Sequence, residues 1–240
     1  MISYHPDSRF LTDFAAGNQP LAEAICVSAH LEFCGKCRAH VQQLKELGST
    51  LFSGLDPEIP ASDSFDRVME QIAAGDAEVA TPPTATEPAA HAMDVSSPLA
   101  QVRIPKALGR WSRRGLGDIR WAQFGKALRV APLGIPGETR ETAIYDIKAG
   151  GCMPEHEHRG EEITVLLKGS FSDADGSYSQ GDFVVRYAGE AHQPTATLDT
   201  DCICLVCLER PVKPRGLFYR LAEPWVQYQL NKAKRFSLSQ

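Results

Sequence analysis

The segment Gly151-Cys152-Met153-Pro154-Glu155-His156-Glu157-His158-Arg159-Gly160-Glu161-Glu162 decides how the larger part of this chain is read. His156 and His158 stand two residues apart, and in an extended strand such residues point to one face. The apolar run Ile163-Thr164-Val165-Leu166-Leu167 follows at once, so the strand beginning near Glu162 can return a carboxylate to that face. Imidazoles and a carboxylate brought together in this way form a nitrogen and oxygen ligand set for a divalent metal.

The surrounding sequence has the texture of short strands. Ala143-Ile144-Tyr145-Asp146-Ile147, Asp182-Phe183-Val184-Val185 and Cys202-Ile203-Cys204-Leu205-Val206-Cys207-Leu208 are rich in β-branched and aromatic residues. Clusters such as Asp173-Ala174-Asp175-Gly176-Ser177 separate them, and this alternation predicts a sandwich or barrel. Downstream stands Gly181-Asp182-Phe183-Val184-Val185-Arg186-Tyr187-Ala188-Gly189-Glu190-Ala191-His192. It resembles the second cupin motif, with Tyr187 where the family usually has proline. The His-x-His-x-x-x-Glu segment resembles the first motif, whose spacing favours Glu162 over Glu161. The resemblance implies an all-β cupin barrel with His156, His158, Glu162 and His192 as ligands. Zinc, iron, manganese and nickel all suit that set, and spacing does not choose among them. Cys202 and Cys204 share one strand face and Cys207 takes the other. They read first as small apolar strand residues, and otherwise as an oxidisable thiol pair near the metal.

Residues 1–75 have a different character. Leu11, Phe14 and Ala15 fit one helical stripe; Leu21, Ala24, Ile25 and Ser28 fit a second, which Pro20 starts. Val41, Leu44 and Leu47 fit a third, with Gly48 placed to end it. A fourth helix is expected at Ser64–Ala74, where Phe65, Val68, Met69 and Ile72 make an apolar stripe that would ordinarily pack on its own domain. Between Gly75 and Pro98 the chain turns to Pro, Thr and Ala, as in Thr81-Pro82-Pro83-Thr84, and reads as a linker. The expected organisation is α + β: a small helical bundle at 1–75, a linker at 76–97, and a barrel with a C-terminal tail at 98–240, the two domains folding independently. The basic stretch Lys232-Ala233-Lys234-Arg235 reads as a solvated end.

Inside the helical part, His30-Leu31-Glu32-Phe33-Cys34-Gly35-Lys36-Cys37 is His-x-x-x-Cys-x-x-Cys. Helical spacings of three and four put such side chains on one face, and two thiolates with an imidazole suit zinc. His5, Cys26 and His40 are candidates for a fourth ligand. The segment resembles the zinc-binding anti-sigma motif, in which a histidine upstream joins the other three, and His5 matches that position. A zinc site in so small a bundle would supply stability that its core lacks.

The combination of this motif, a linker and a cupin resembles the ChrR-type anti-sigma factors across nearly the whole chain. What that resemblance implies is a protein that binds and inhibits an extracytoplasmic-function sigma factor. It would release that factor under oxidative stress such as singlet oxygen, with the cupin needed for the response, and the fourth helical stripe would be a contact for the partner. Zinc is expected in the N-terminal site, and no catalytic residue is assigned. The rival reading is a metal-dependent cupin enzyme, a dioxygenase or isomerase, with an accessory helical domain; a cupin that senses a small ligand is compatible with the first reading. The wider composition agrees with a regulator. A chain of 240 residues with 43% hydrophobic residues can bury two modest cores. A formal charge of -5 argues against direct nucleic-acid binding. The N-terminus lacks a basic region followed by an apolar run, and no span-length apolar stretch occurs, so a cytoplasmic location is expected. Seven cysteines, an odd number, point to metal or redox chemistry rather than a disulfide scaffold.

Overall fold

The computed structural model describes residues 2–75, 102, 105–109, 116, 119–214 and 217–238. The linker expected at 76–97 lies outside the described residues. Helix α1 (Ser8–Ala16) starts at Asp7, whose side chain accepts the Phe10 N–H, and stops at Gly17 in the left-handed region, with φ 73°. Helix α2 (Leu21–Phe33) follows Pro20, and α3 (Gly35–Ser53) starts at Cys34, whose sulfur accepts the Cys37 N–H. Helix α4 spans Ser64–Gly75.

Helix α3 does not end at Gly48 as its sequence led us to expect, but runs to Ser53 and is capped by Gly54. One interior glycine costs about 1 kcal/mol against alanine, too little to break a helix continued on both sides. The Thr50 and Ser53 hydroxyls bond back to the carbonyls of Glu46 and Ser49, which ties down the extra turn.

The strands are β1 (Ala122–Phe124), β2 (Leu128–Leu133), β3 (Glu141–Ile147), β4 (His156–Glu157), β5 (Glu162–Lys168), β6 (Ser170–Ser172), β7 (Ser177–Ser179), β8 (Phe183–Arg186), β9 (Ala191–His192), β10 (Thr195–Ala196), β11 (Cys202–Leu208) and β12 (Lys213–Pro214). Six of them form one antiparallel sheet in the order β1-β2-β3-β11-β5-β8. Strands β10-β6-β7 and β12-β4-β9 form two smaller sheets.

Strands β5 and β11 show why their sequences are apolar on both faces. Leu166, Cys202, Cys204 and Val206 point into a core with Phe171 and Tyr178 from the smaller β10-β6-β7 sheet. Ile163, Val165, Leu167, Ile203, Leu205 and Cys207 point the other way, into a core shared with Phe10, Ile25, Cys26 and Ala29 of the helices. Helix α2 therefore lies on the outer face of β5 and β11.

The helical part and the barrel pack directly on each other, a contact that the sequence did not announce. The helices and the barrel share one apolar core, and polar contacts reinforce it. Pro20 offers α2 no capping side chain, and Glu138 of the barrel part accepts the Ala22 N–H at 3.1 Å instead. A carboxylate there also suits the positive end of the helix dipole. Arg140 pairs with Glu23 at 2.6 Å, and Arg9 with Glu161 at 2.8 Å. A linker's composition says only that its own residues avoid a core; it does not report whether the segments on either side pack together.

The C-terminal residues also differ from their sequence reading. Helix α5 (Leu217–Leu238) packs on β2 and β1, with Ala233 buried and Trp225 edge-on to Phe124. Pro224 inside the helix and the run of basic residues near its end hid it.

Two candidate metal centres

The first centre gathers His5, His30, Cys34 and Cys37, whose ligand atoms all lie within 4.8 Å of one another. His30 sits in the last turn of α2, while Cys34 and Cys37 open α3, so the break between these helices turns three ligands inward. His5 comes from the extended segment before α1. Its Nδ1 lies 3.4 Å from each sulfur. Two ligands of a tetrahedral zinc would stand about 3.6 Å apart for ordinary Zn–S and Zn–N lengths, so the spacing fits. The His30 Nδ1–H donates to the Gly181 carbonyl at 2.7 Å. Its Nε2 is buried and has no hydrogen-bond partner among the described residues. A lone pair left open by a bond at the other ring nitrogen is the state a metal ligand requires. Burial pushes the His30 pKa down to about 4, which keeps the ring neutral, and burial next to Cys34 pushes the Cys37 thiol up to about 12. A bound cation would reverse the second effect, because a coordinating thiol is deprotonated outright.

The sequence left three candidates for the fourth ligand, and the fold separates them. His5 joins the cluster. His40 is exposed on α3. Cys26 lies one turn before His30 on α2 and is fully buried in the core shared with the barrel, beside Cys207 of β11.

The second centre gathers His156, His158, Glu162 and His192 inside the barrel, all buried. His156 and His192 face each other across the β4–β9 pair, with their Nε2 atoms 3.0 Å apart. Their Nδ1 atoms are both engaged, that of His156 donating to the Pro154 carbonyl and that of His192 to Asp173, each at 2.9 Å. Two Nε2 lone pairs therefore meet at close range, which a cation between them would relieve. Both nitrogens of His158 are buried without a hydrogen-bond partner among the described residues, and Nδ1 lies 3.6 Å from a Glu162 oxygen. Burial lowers the His156 pKa to about 4 and that of His158 to about 3. Burial raises Glu162 to about 7, against a hydrogen bond from Thr164 that works the other way. Arg186 across the β5–β8 pair offsets the burial of this carboxylate only in part, and a divalent metal would supply further positive charge. Both clusters are thus compatible with a metal ion.

Sequence reasoning missed the supports of this second site. Asp173 lies in the turn that read only as a strand separator, yet its carboxylate is fully buried and binds both His192 and Arg186, each at 2.9 Å. Such a residue orients its imidazole and raises its basicity. Arg186 lies on β8 directly across from Glu162 on β5. The distinguishing signal is three-dimensional, since an Asp-x-Asp-Gly turn has the same composition whether or not a ligand lies above it.

A cavity of about 30 Å³ adjoins this centre, lined by Tyr145, Met153, Phe171 and Cys204 as well as His156, Glu162 and His192. It has room for one or two waters or a similarly small ligand. Cys204 and Cys202 are buried, and their sulfurs lie 3.6 Å apart.

Comparison with known proteins agrees with both halves. Residues 115–211 match the family model described as the ChrR cupin-like domain. Over 224 residues the chain is 30% identical to the anti-sigma-E factor ChrR of Cereibacter sphaeroides, an alignment that covers 93% of this chain and 98% of that protein. In three dimensions it is similar to a chain of the crystal structure of Rhodobacter sphaeroides SigE in complex with the anti-sigma ChrR. The TM-score is 0.67 at 29% identity, over 87% of this chain and 99% of that one.

Proposed function

The chain belongs to the ChrR family of anti-sigma factors, and on that premise we propose that it binds an extracytoplasmic-function sigma factor and keeps it from RNA polymerase. Membership in a family of regulators sets it apart from the enzymes of the cupin fold. No helix among the described residues is long and apolar enough to cross a membrane. We place its action in the cytoplasm, where such a sigma factor works.

One observation carries this reading. Helix α4 holds its apolar stripe open to solvent, with Phe65 72% exposed, Val68 52%, Met69 48% and Ile72 51%. The stripe was expected to pack on its own domain, and it does not. Leu47, Leu51 and Phe52 near the end of α3 are exposed too. Soluble proteins rarely leave aligned large apolar groups uncovered, and an amphipathic helix with no partner of its own is a form that a groove on another protein accepts.

The division of the chain is proposed as before: residues 1–75 bind the sigma factor, 76–97 link, and 98–240 carry the cupin. His5, His30, Cys34 and Cys37 hold structural zinc, since two thiolates and two imidazoles are a closed tetrahedral set. His156, His158, Glu162 and His192 hold zinc, iron, manganese or nickel. Such a metal supplies a positive centre with open positions, able to take a small ligand or to meet an oxidant.

Release under oxidants such as singlet oxygen is assigned to the barrel. The signal must favour one of two states of the complex, because an agent compatible with both shifts nothing. Strand β8 gives the barrel a physical route to the helices: Arg186 at one end holds Asp173 and through it His192, while Phe183 at the other packs edge-on to Phe10 and His30. Replacing both His156 and Glu162 by Ala should leave inhibition intact and abolish the response. Sigma-dependent transcription is the measurement, with and without singlet oxygen. A double variant that still induces normally removes the barrel metal from the signalling path, and a wild-type chain that fails to repress transcription without oxidant removes the anti-sigma reading itself.

A further inference from the structure

A single turn of the barrel bonds one of the four residues of the helical centre and the segment that carries a second. The turn Ser179–Phe183 joins β7 to β8. Its Gly181 carbonyl accepts the Nδ1–H of His30 at 2.7 Å. Its Asp182 carboxylate is buried, and one oxygen accepts the N–H groups of Ser3 and Tyr4 at 2.7 and 3.0 Å. These residues directly precede His5. The other oxygen accepts the N–H and hydroxyl of Ser179 at 2.8 and 3.2 Å, which fixes the carboxylate within its own turn. The Phe183 N–H then donates to the Tyr4 carbonyl at 3.0 Å, so the segment before His5 is bonded from both sides.

The fit is close as well as polar. Gly181 has φ +91°, and a Cβ there would stand 2.8 Å from Ile2 and 2.9 Å from Phe33. Only glycine allows the backbone to come so near the end of α2, and that approach brings its carbonyl to His30. The bond at His30 Nδ1 fixes the tautomer that leaves Nε2 free to bind a metal. Gly181 thus orients one imidazole and Asp182 positions the extended segment that carries the other.

We propose that Gly181 and Asp182 of the barrel are positioning residues of the helical metal centre, so that the affinity of that centre depends on the barrel being docked. The inference rests on the reading of His5, His30, Cys34 and Cys37 as a metal site. It makes docking and metal loading reciprocal: whatever loosens the turn weakens the metal, and loss of the metal loosens the turn by the same factor.

Cobalt(II) in place of zinc separates the two centres. Thiolate ligands give sulfur-to-metal charge-transfer absorption, and the barrel set contains no sulfur, so that band reports the helical centre alone. Titrating the full chain with a competing chelator then gives the affinity. Asp182→Ala should lower it by about 10- to 100-fold, the usual cost of removing a group that orients a ligand, with barrel metal content unchanged. Asp182→Asn should lose less, because its remaining oxygen can still accept from Ser3 and Tyr4. An affinity in Asp182→Ala indistinguishable from wild type overturns the proposal, whereas a wild-type chain with no charge-transfer band overturns the metal reading beneath it. If Asp182→Ala does not fold, hydrogen exchange of the wild-type chain decides. Removing cobalt until the band is lost should speed exchange of the Phe183 and Ser179 amides. Unchanged protection there, like an unchanged affinity, would contradict the coupling.

Discussion

Replacing Cys34 and Cys37 by serine is expected to remove one metal equivalent of about two per chain, to unfold the helical segment and to abolish sigma binding. The two sulfurs supply half of the ligand set, and hydroxyls do not replace thiolates on zinc. Structural zinc in small domains contributes about 10–16 kcal/mol of apparent binding free energy at neutral pH, far more than a bundle of this size can forgo. The shared core refines the expectation. Helix α2 buries Ala22, Ile25, Cys26 and Ala29, in part against the barrel, whereas α3 buries only Cys37 and Val41. Loss of metal should therefore release α3 and the segment carrying His5 first, with α2 held longer. Elemental analysis and circular dichroism check the prediction together, and unchanged zinc in the double variant would sink the assignment.

Phe65→Asp in α4 is expected to weaken the complex by about 2–4 kcal/mol, or roughly 30- to 1,000-fold, the cost of losing a central apolar contact. Phe65 is exposed in the free chain, so the change should cost the fold almost nothing. In a partner's apolar groove the same carboxylate would lose its water without gaining a counter-charge. Calorimetric titration of the variant into its sigma factor, beside a check that zinc content and helicity are unchanged, separates loss of contact from loss of structure. Binding at wild-type strength would move the interface elsewhere.

Much of this molecule was legible in its sequence, and the reasons are specific. The candidate ligands were legible as motifs, His5 and His192 only through the family resemblance; yet His30 and Cys37 converge because the chain breaks between α2 and α3 at Cys34, not because they share one helix face, and β4 stops at Glu157, before His158. The faces of β11 were legible too, since Cys202 and Cys204 do point inward and Cys207 outward. What stayed hidden depends on pairs of residues far apart in the chain. Asp182 bonds to residues almost 180 positions away, and Glu138 caps a helix 116 positions before it. Neither has a local pattern that announces its role. Gly181 was noticed as a motif glycine, but its work at His30 comes from a backbone carbonyl, which sequence does not display. The continuous apolar runs of β5 and β11 did hold a clue. A strand covered on one side only should alternate, and these do not, so a second layer had to lie on the barrel. That layer is the helical segment, which the linker's composition led us to set apart. Cys26 and Cys207 meet within it, and their separate appearances in the sequence gave no reason to pair them.

The measurement closest to the central claim is co-expression of the full chain with each extracytoplasmic-function sigma factor of its host, followed by purification through a tag on the chain. The account predicts that one of them co-purifies in equal amount, that the complex contains about two metal equivalents, and that the captured factor is inactive in transcription until released. A chain that is folded and loaded with metal yet retains none of those sigma factors would contradict it.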